Sequence, residues 1–213
     1  IFWELHQSVQ GMADACREFN TPVISGNVSL YNENNGQAIH PTPMVGMVGL
    51  IKNIDRVIPS FVQHPGDKVY LVGQTRDDYA GSELQKMMTG DISGIVESFD
   101  LHHVHQYMQR LLMTMENGLV SSAHDLSEGG LGVALAETVF KTDLGLKIDL
   151  ADQPAARLFS ETPGRFIVTV ASKKATEFEQ VLGKDAHLIG EVTNSHWLMV
   201  KLANGELNES VAK

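Results

Sequence analysis

An α+β fold is what the sequence predicts, on three observations. Segments with helical apolar spacing interleave with apolar runs of strand length, but without the regular strand–helix–strand period of a doubly wound sheet. The 213 residues are 43% hydrophobic and 20% charged, a globular composition with enough apolar area for a sizeable core. There is no internal repeat, no low-complexity tract and no window of ~18 consecutive apolar residues, so neither a solenoid nor a membrane span competes.

The first predicted element is a helix from Phe2 to Phe19. Phe2, Leu5, Val9, Met12, Ala13 and Cys16 recur at spacings of three and four, and Asn20-Thr21-Pro22 stops it. An extended run begins at Pro22-Val-Ile-Ser25 and breaks at the polar residues 32–37. Met44 to Ile51 reads as a second, buried strand, whose glycines imply close approach of another backbone. Residues 54–65, with Pro59 and Pro65, read as a connector, and Gly66-Asp67 turns the chain into a strand from Lys68 to Val72. The expected domains are therefore residues 1–60, the end of one unit, and 61–213, a second.

Beyond that boundary a short helix is expected from Gly81 to Met88 and a long one from Asp100 to Asn117. In the long one Asp100 is a good N-cap, Leu101, Val104, Met108, Leu111, Leu112 and Met115 form the stripe, and Gly118 suits the C′ position. Leu119 to Ala123 reads as a strand, Gly129 to Phe140 as a helix and Gly145 to Leu150 as a strand. Arg165 to Ala171 is a buried strand, Lys173 to Leu182 an amphipathic helix, and His187–Val192 with Trp197–Leu202 a closing hairpin.

Charge and cysteine usage narrow the function classes. With 16 basic and 26 acidic residues, the net charge of −10 excludes non-specific coating of nucleic acid. A phosphate ligand would depend on backbone amides or a bridging metal. The single cysteine, Cys16, cannot form an internal disulfide, which points to a reducing, cytoplasmic compartment, and its place in an apolar stripe makes it a small buried hydrophobe rather than a nucleophile. The start, Ile1-Phe-Trp-Glu-Leu-His6, lacks the pattern of a secretory signal and opens directly into a helix, as a piece of a longer chain would.

Two segments could carry chemistry. In Ile24-Ser-Gly-Asn-Val-Ser-Leu-Tyr-Asn-Glu33, Gly26 lets a ligand approach the backbone, Asn27 offers a neutral oxygen suited to Mg²⁺ beside phosphate, and Ser29 faces the same way as Asn27 on a strand. An ordinary edge strand running into an Asn-rich turn has the same pattern. In Ser121-Ser-Ala-His-Asp-Leu-Ser-Glu-Gly-Gly-Leu131, Asp125 or Ser127 can cap the helix, Glu128 sits in its first turn, and Gly129 and Gly130 could cradle an anion. Structural capping is the favoured reading of that segment, with ligand binding as the alternative. His102, His103 and His105 read as a solvated helix face, because only His102 and His105 share a side and no carboxylate or thiol stands at a ligating offset.

Thr21-Pro-Val-Ile-Ser-Gly-Asn-Val-Ser-Leu-Tyr-Asn-Glu33, Ile39-His-Pro-Thr-Pro43 and the glycine-rich run after it resemble the phosphoribosylformylglycinamidine synthases, in particular the synthetase subunit of the multi-subunit bacterial form. Ala123-His-Asp-Leu-Ser-Glu-Gly-Gly-Leu131 and Leu158-Phe-Ser-Glu-Thr-Pro-Gly-Arg-Phe166 fit the same family and recur in the wider aminoimidazole ribonucleotide synthetase superfamily. The resemblance implies the end of an N-terminal synthetase-like domain followed by a C-terminal α/β sandwich domain. It implies an ATP-dependent carbon–nitrogen ligase of purine biosynthesis: ATP activates the amide oxygen of formylglycinamide ribonucleotide, and ammonia from a glutaminase subunit displaces phosphate to give the amidine. Carried over by position, Gly26 contacts ATP, Asn27 ligates Mg²⁺ and Ser29 contacts the ribonucleotide. No general base is assigned, since the family's catalytic histidines have no counterpart here, and the fragment alone is expected to be inactive. The implied partners are the rest of the synthetase chain, the glutaminase subunit and a small accessory subunit. Two other readings remain: a scaffold domain docking those subunits, or another member of the superfamily. Residues 1–60 lack further strands for a sheet, so dimerisation through exposed apolar edges, or partial disorder, is expected there.

Overall fold

The computed structural model describes residues 2–29 and 31–211. It is organised around one sheet. The strands are β1 (Glu33–Asn34), β2 (Gln37–Ala38), β3 (Lys68–Val72), β4 (Val120–Asp125), β5 (Gly145–Leu150), β6 (Phe166–Val170), β7 (Ala186–Thr193), β8 (Trp197–Leu202) and β9 (Gly205–Ser210). β1 and β2 pair only with each other, across Asn35-Gly36. The other seven form a sheet in the order β4-β6-β3-β7-β5-β8-β9. Every neighbouring pair is antiparallel except β5 and β8.

The helices are α1 (Phe2–Glu18), α2 (Glu83–Thr89), α3 (Leu101–Glu116), α4 (Gly130–Val139) and α5 (Ala175–Leu182). Strand alternation sorts the core into two layers. Val69 and Leu71 meet Leu131, Leu135 and Val139 of α4 on one face. Tyr70 and Val72 meet Val104, Tyr107 and Leu111 of α3, with Phe178 and Leu182 of α5, on the other. The fold is thus α+β, with helices on both faces of a mainly antiparallel sheet. Helix α3 starts as its sequence demands: the Asp100 carboxylate accepts from His103 N at 3.0 Å, and Gly118 past its end has φ +69°.

Three expectations need correction. The closing hairpin is β8 with β9, not β7 with β8, because β5 inserts between β7 and β8 and pairs with both. The turn signal was Asn204-Gly205, and the polar strand after it has little apolar alternation to reveal it. Met44 to Ile51 is not a buried strand: Met44 is 94% exposed and Val48 fully so. A strand needs a neighbour for its N–H and C=O groups, and no described residue pairs with this run. The run from Pro22 to Ser29 likewise joins no sheet, and Leu30 lies outside the described residues.

Helix α1 buries none of its residues. It meets α3 through Glu18, whose Oε1 lies 2.9 Å from His102 Nδ1 and 3.1 Å from His105 Nδ1, and through the Phe19 ring against His105. Cys16 is only partly buried, so it does not serve as the core residue expected.

Two outcomes follow. A Cβ on Gly145 would overlap the backbone of Trp197, with the amide nitrogen 2.6 Å away. Gly145→Ala should therefore lower unfolding free energy by about 1–3 kcal/mol with an unchanged urea m-value. The hydrogen bonds from His102 and His105 hold the Glu18 carboxyl below its usual range. A depressed carboxylate stabilises above its unfolded pKa and loses that contribution as pH falls through the folded one. The NMR shifts of α1 should move toward those of Glu18→Gln as pH falls below the usual carboxylate range; shifts that stay fixed would refute the clasp.

Candidate functional site

Three loops converge at the end of the sheet where β3 and β4 finish and β6 begins: residues 73–82, 125–130 and 158–165. Their centre is Arg165, only 1% exposed. Its Nε donates to Thr162 O at 2.9 Å, Nη1 to Thr75 Oγ1 at 2.9 Å and Nη2 to Ser160 O at 2.5 Å. Its own carbonyl accepts from Leu126 N at 2.9 Å. Burial pulls the guanidinium down to about 10, so it is still cationic at neutral pH. A guanidinium suits this place because its rigid fork reaches three acceptors at once.

The residues before Arg165 stitch the loops together. Ser160 Oγ donates to Arg76 O at 2.6 Å and accepts from Asp78 N at 3.2 Å. Thr162 Oγ1 accepts from Arg76 N at 3.0 Å and donates to Asp78 Oδ2 at 2.6 Å. Glu161 Oε1 accepts from Glu83 N at 2.9 Å and from Gly129 N at 2.8 Å, so one carboxylate serves the N-termini of α2 and α4. Gly130, with φ +61°, must lack a side chain because a Cβ would meet the carbonyls of Ser160 and Leu158.

This geometry revises the reading of the Ser121–Leu131 segment. Neither Asp125 nor Ser127 caps α4; the N-cap is Gly129, φ +77°, with no side-chain bond of its own. Glu128 lies before the helix rather than in its first turn. The expected anion cradle is closed, because the Gly129 N–H already holds the Glu161 carboxylate. His124 donates from Nδ1 to Asp125 O at 2.6 Å and presents Nε2 to Glu137 at 3.5 Å. The motifs at 123–131 and 158–166 are therefore brought together, as one braced body.

Gly26, Asn27 and Ser29 sit elsewhere, on the open run before β1. All three are exposed, and a Cβ on Gly26 would meet nothing within 4 Å. The carbonyl oxygen of Asn27 is thus accessible to a cation, a donor chemistry that fits Mg²⁺ as one neutral ligand among others. Among the described residues no group of three or more His, Cys, Asp or Glu could hold a metal ion by itself. The three histidines of α3 are only partly a solvated face: His102 is exposed, but it shares Glu18 with the half-buried His105, and His103 Nε2 meets Asp185 Oδ1 at 2.9 Å. Sequence reasoning missed these partners and the brace at Glu161, since each lies on a distant element with no local periodicity to announce it.

Residues 64–201 match the family described as AIR synthase related protein, C-terminal domain, and residues 1–51 match its N-terminal domain. Over all 213 residues the chain is 97% identical to phosphoribosylformylglycinamidine synthase subunit PurL of Limosilactobacillus reuteri. It is 70% identical over 212 residues to the PurL of Limosilactobacillus fermentum and 61% identical over 213 residues to that of Lactobacillus acidophilus. The chain spans 29%, 28% and 29% of these relatives' lengths, respectively. Among solved structures, T. maritima PurL complexed with FGAR superposes with a TM-score of 0.63 at 24% identity, over 74% of this chain and 29% of that one. The hydrogenase maturation protein HypE in complex with ATP superposes with a TM-score of 0.53 at 18% identity, over 76% and 55%. These superpositions show a shared fold.

The brace yields a direct test. Arg165→Lys keeps the charge but loses the fork, and should cost about 3 kcal/mol or more in denaturant unfolding. Glu161→Gln weakens acceptance at two helix ends and should cost about 1–3 kcal/mol. Wild-type stability in both variants would remove the brace as the organiser of these loops.

Proposed function

We infer what this chain does from a plain premise: it belongs to the AIR synthase related family. The chain is proposed to be part of the synthetase subunit of phosphoribosylformylglycinamidine synthase, an ATP-dependent ligase of purine biosynthesis. The observation that carries this reading is the 97% identity to a PurL subunit along all 213 residues, which leaves the Thr21–Glu33 motif and both later motifs in one chain. The T. maritima PurL structures with FGAR and with ATP support formylglycinamide ribonucleotide and ATP as the substrates.

In this reading residues 1–60 are the end of an N-terminal-type domain and 61–213 are a C-terminal-type domain; the family matches fall on either side of residues 52–63. Gly26 admits ATP to the backbone, Asn27 ligates Mg²⁺, and Ser29 holds the ribonucleotide. Mg²⁺ there would offset the negative charge of the phosphate oxygens. The exposure of all three residues supports a site completed by other parts of the synthetase chain. The braced loops at Arg165 serve as a rigid wall, not as a phosphate cradle. A glutaminase subunit supplying ammonia and a small accessory subunit are the proposed partners, in the cytoplasm. By itself this segment is expected to be inactive, having no assigned general base.

The test is ammonium-driven ATP turnover, dependent on formylglycinamide ribonucleotide, in the full-length protein. Asn27→Ala should lose roughly tenfold or more in rate, ~1.4 kcal/mol and upward, and recover in part at raised Mg²⁺. Unchanged turnover would reduce residues 24–33 to a turn and favour the scaffold role.

A further inference from the structure

The seven-stranded sheet is not closed along its whole length. β5 and β7 pair from Gly145↔Thr193 to Ile148↔Gly190 and then stop, although β5 runs on to Leu150 and β7 back to Ala186. The cause is local. Ile189 is an extra residue in β7 where its register against β3 shifts between Val69 and Tyr70, and such a bulge bends its strand. Gly190 marks the last pair because a Cβ there would strike the backbone of Lys147 and Ile148. Past it the two strands part, and β5 follows β8 instead.

The parting leaves a cavity of about 440 Å³, within the roughly 300–1,000 Å³ of small-molecule sites. Leu71, Leu131, Leu158 and Ile189 make an apolar floor. One wall is Gly73 to Thr75 with Arg157 and Leu158, part of the loops fixed by Arg165, so the cavity is preformed. At its mouth the side chains of Gln74 and His187 have no hydrogen-bond partner among the described residues, and each can both donate and accept. The unladdered backbone of β5 and β7 adds further donors and acceptors.

Charge decides what fits. Asp149 and Asp152 line the mouth. The one guanidinium there, Arg157, is already engaged, by Nε to Asp77 at 3.0 Å and by Nη1 to Gln153 Oε1 at 2.8 Å. A phosphate would meet two carboxylates, and among the described lining residues the one guanidinium is already shared between Asp77 and Gln153. We propose that this crevice binds a neutral planar heterocycle with amide-like edges, of nucleoside type and without phosphate, its ring on the leucine floor, its polar edge on Gln74 and His187, and its hydroxyls toward Asp149 and Asp152. The site is separate from the one assigned to Gly26, Asn27 and Ser29, and does not depend on the ligase reading.

The experiment is saturation-transfer NMR on the full-length protein with uridine and guanosine, each beside its 5′-monophosphate. At least one nucleoside should bind with a dissociation constant in the low millimolar range or below, and its monophosphate at least tenfold more weakly. His187, exposed and paired with Leu71 on the floor's side of the sheet, can become Trp without disturbing the core, and His187→Trp should abolish the signal with an unchanged melting temperature. Gln74→Ala should weaken binding severalfold. No signal for either nucleoside at about 5 mM, equal binding of the monophosphates, or a signal that survives His187→Trp would each overturn the proposal.

Discussion

A single buried cation governs the sheet's loop end. Arg165 cannot enter the interior without acceptors, and the ones it finds belong to Thr162, Ser160 and Thr75. Those contacts fix the path of residues 158–165, which in turn presents Ser160, Glu161 and Thr162 to the chain after β3 and to the start of α4. Tyr107 of α3 donates its hydroxyl to Gly164 O at 2.6 Å, and a Cβ on Gly73 would meet both that hydroxyl and the Arg165 stem, so α3 is drawn into the same assembly. Order thus spreads from one guanidinium to three loops and three helices. The alternative, a solvated arginine and three independent loops, would leave two helix N-termini without their shared acceptor.

The chain is divided in character. From residue 58 onward the strands of the large sheet bury apolar side chains on both faces, although Met87, Met88, Ile95 and Val96 around the end of α2 stay in solvent. From 22 to 57 the chain keeps Val23, Ile24, Met44, Val45, Met47 and Leu50 in solvent, although their composition is that of core strands. Surface of this kind is stable only when covered. The proposed function supplies the cover, because relatives of this chain are more than three times its length. The residues assigned to ATP, Mg²⁺ and substrate lie in this open part.

What the sequence revealed follows from how local each signal was. β3, β5 and α3 were legible to within a residue or two because Gly66-Asp67, Gly145 and Asp100 punctuate strong apolar patterns. The α+β class followed from those elements and their spacing. The order of strands did not, since nothing in residues 186–202 states that β5, some forty residues earlier, will lie between them. The second motif was singled out, but its partners were not: Gly130 lacks a side chain because the Ser160 and Leu158 carbonyls need the room, and the Gly129 N–H is taken by Glu161, facts held by another loop. The Asn27 segment was found by residue type and family resemblance, and its open setting shows why periodicity alone was silent about it.

The position of β3 carries a consequence for how the chain is made. This strand, the first of the large sheet to be synthesised, sits between β6 and β7, so its neighbours lie about a hundred residues downstream. At about 5–20 residues per second, Lys68–Val72 leaves the ribosome roughly 5–20 s before either neighbour exists. For that interval an apolar strand with two bare edges must stay unpaired, and α2, α3 and β4 emerge without a sheet to rest on. Closure therefore waits until β6 and β7 have been made, and a nascent-chain binder that shields Val69 to Val72 would act on this protein in that window.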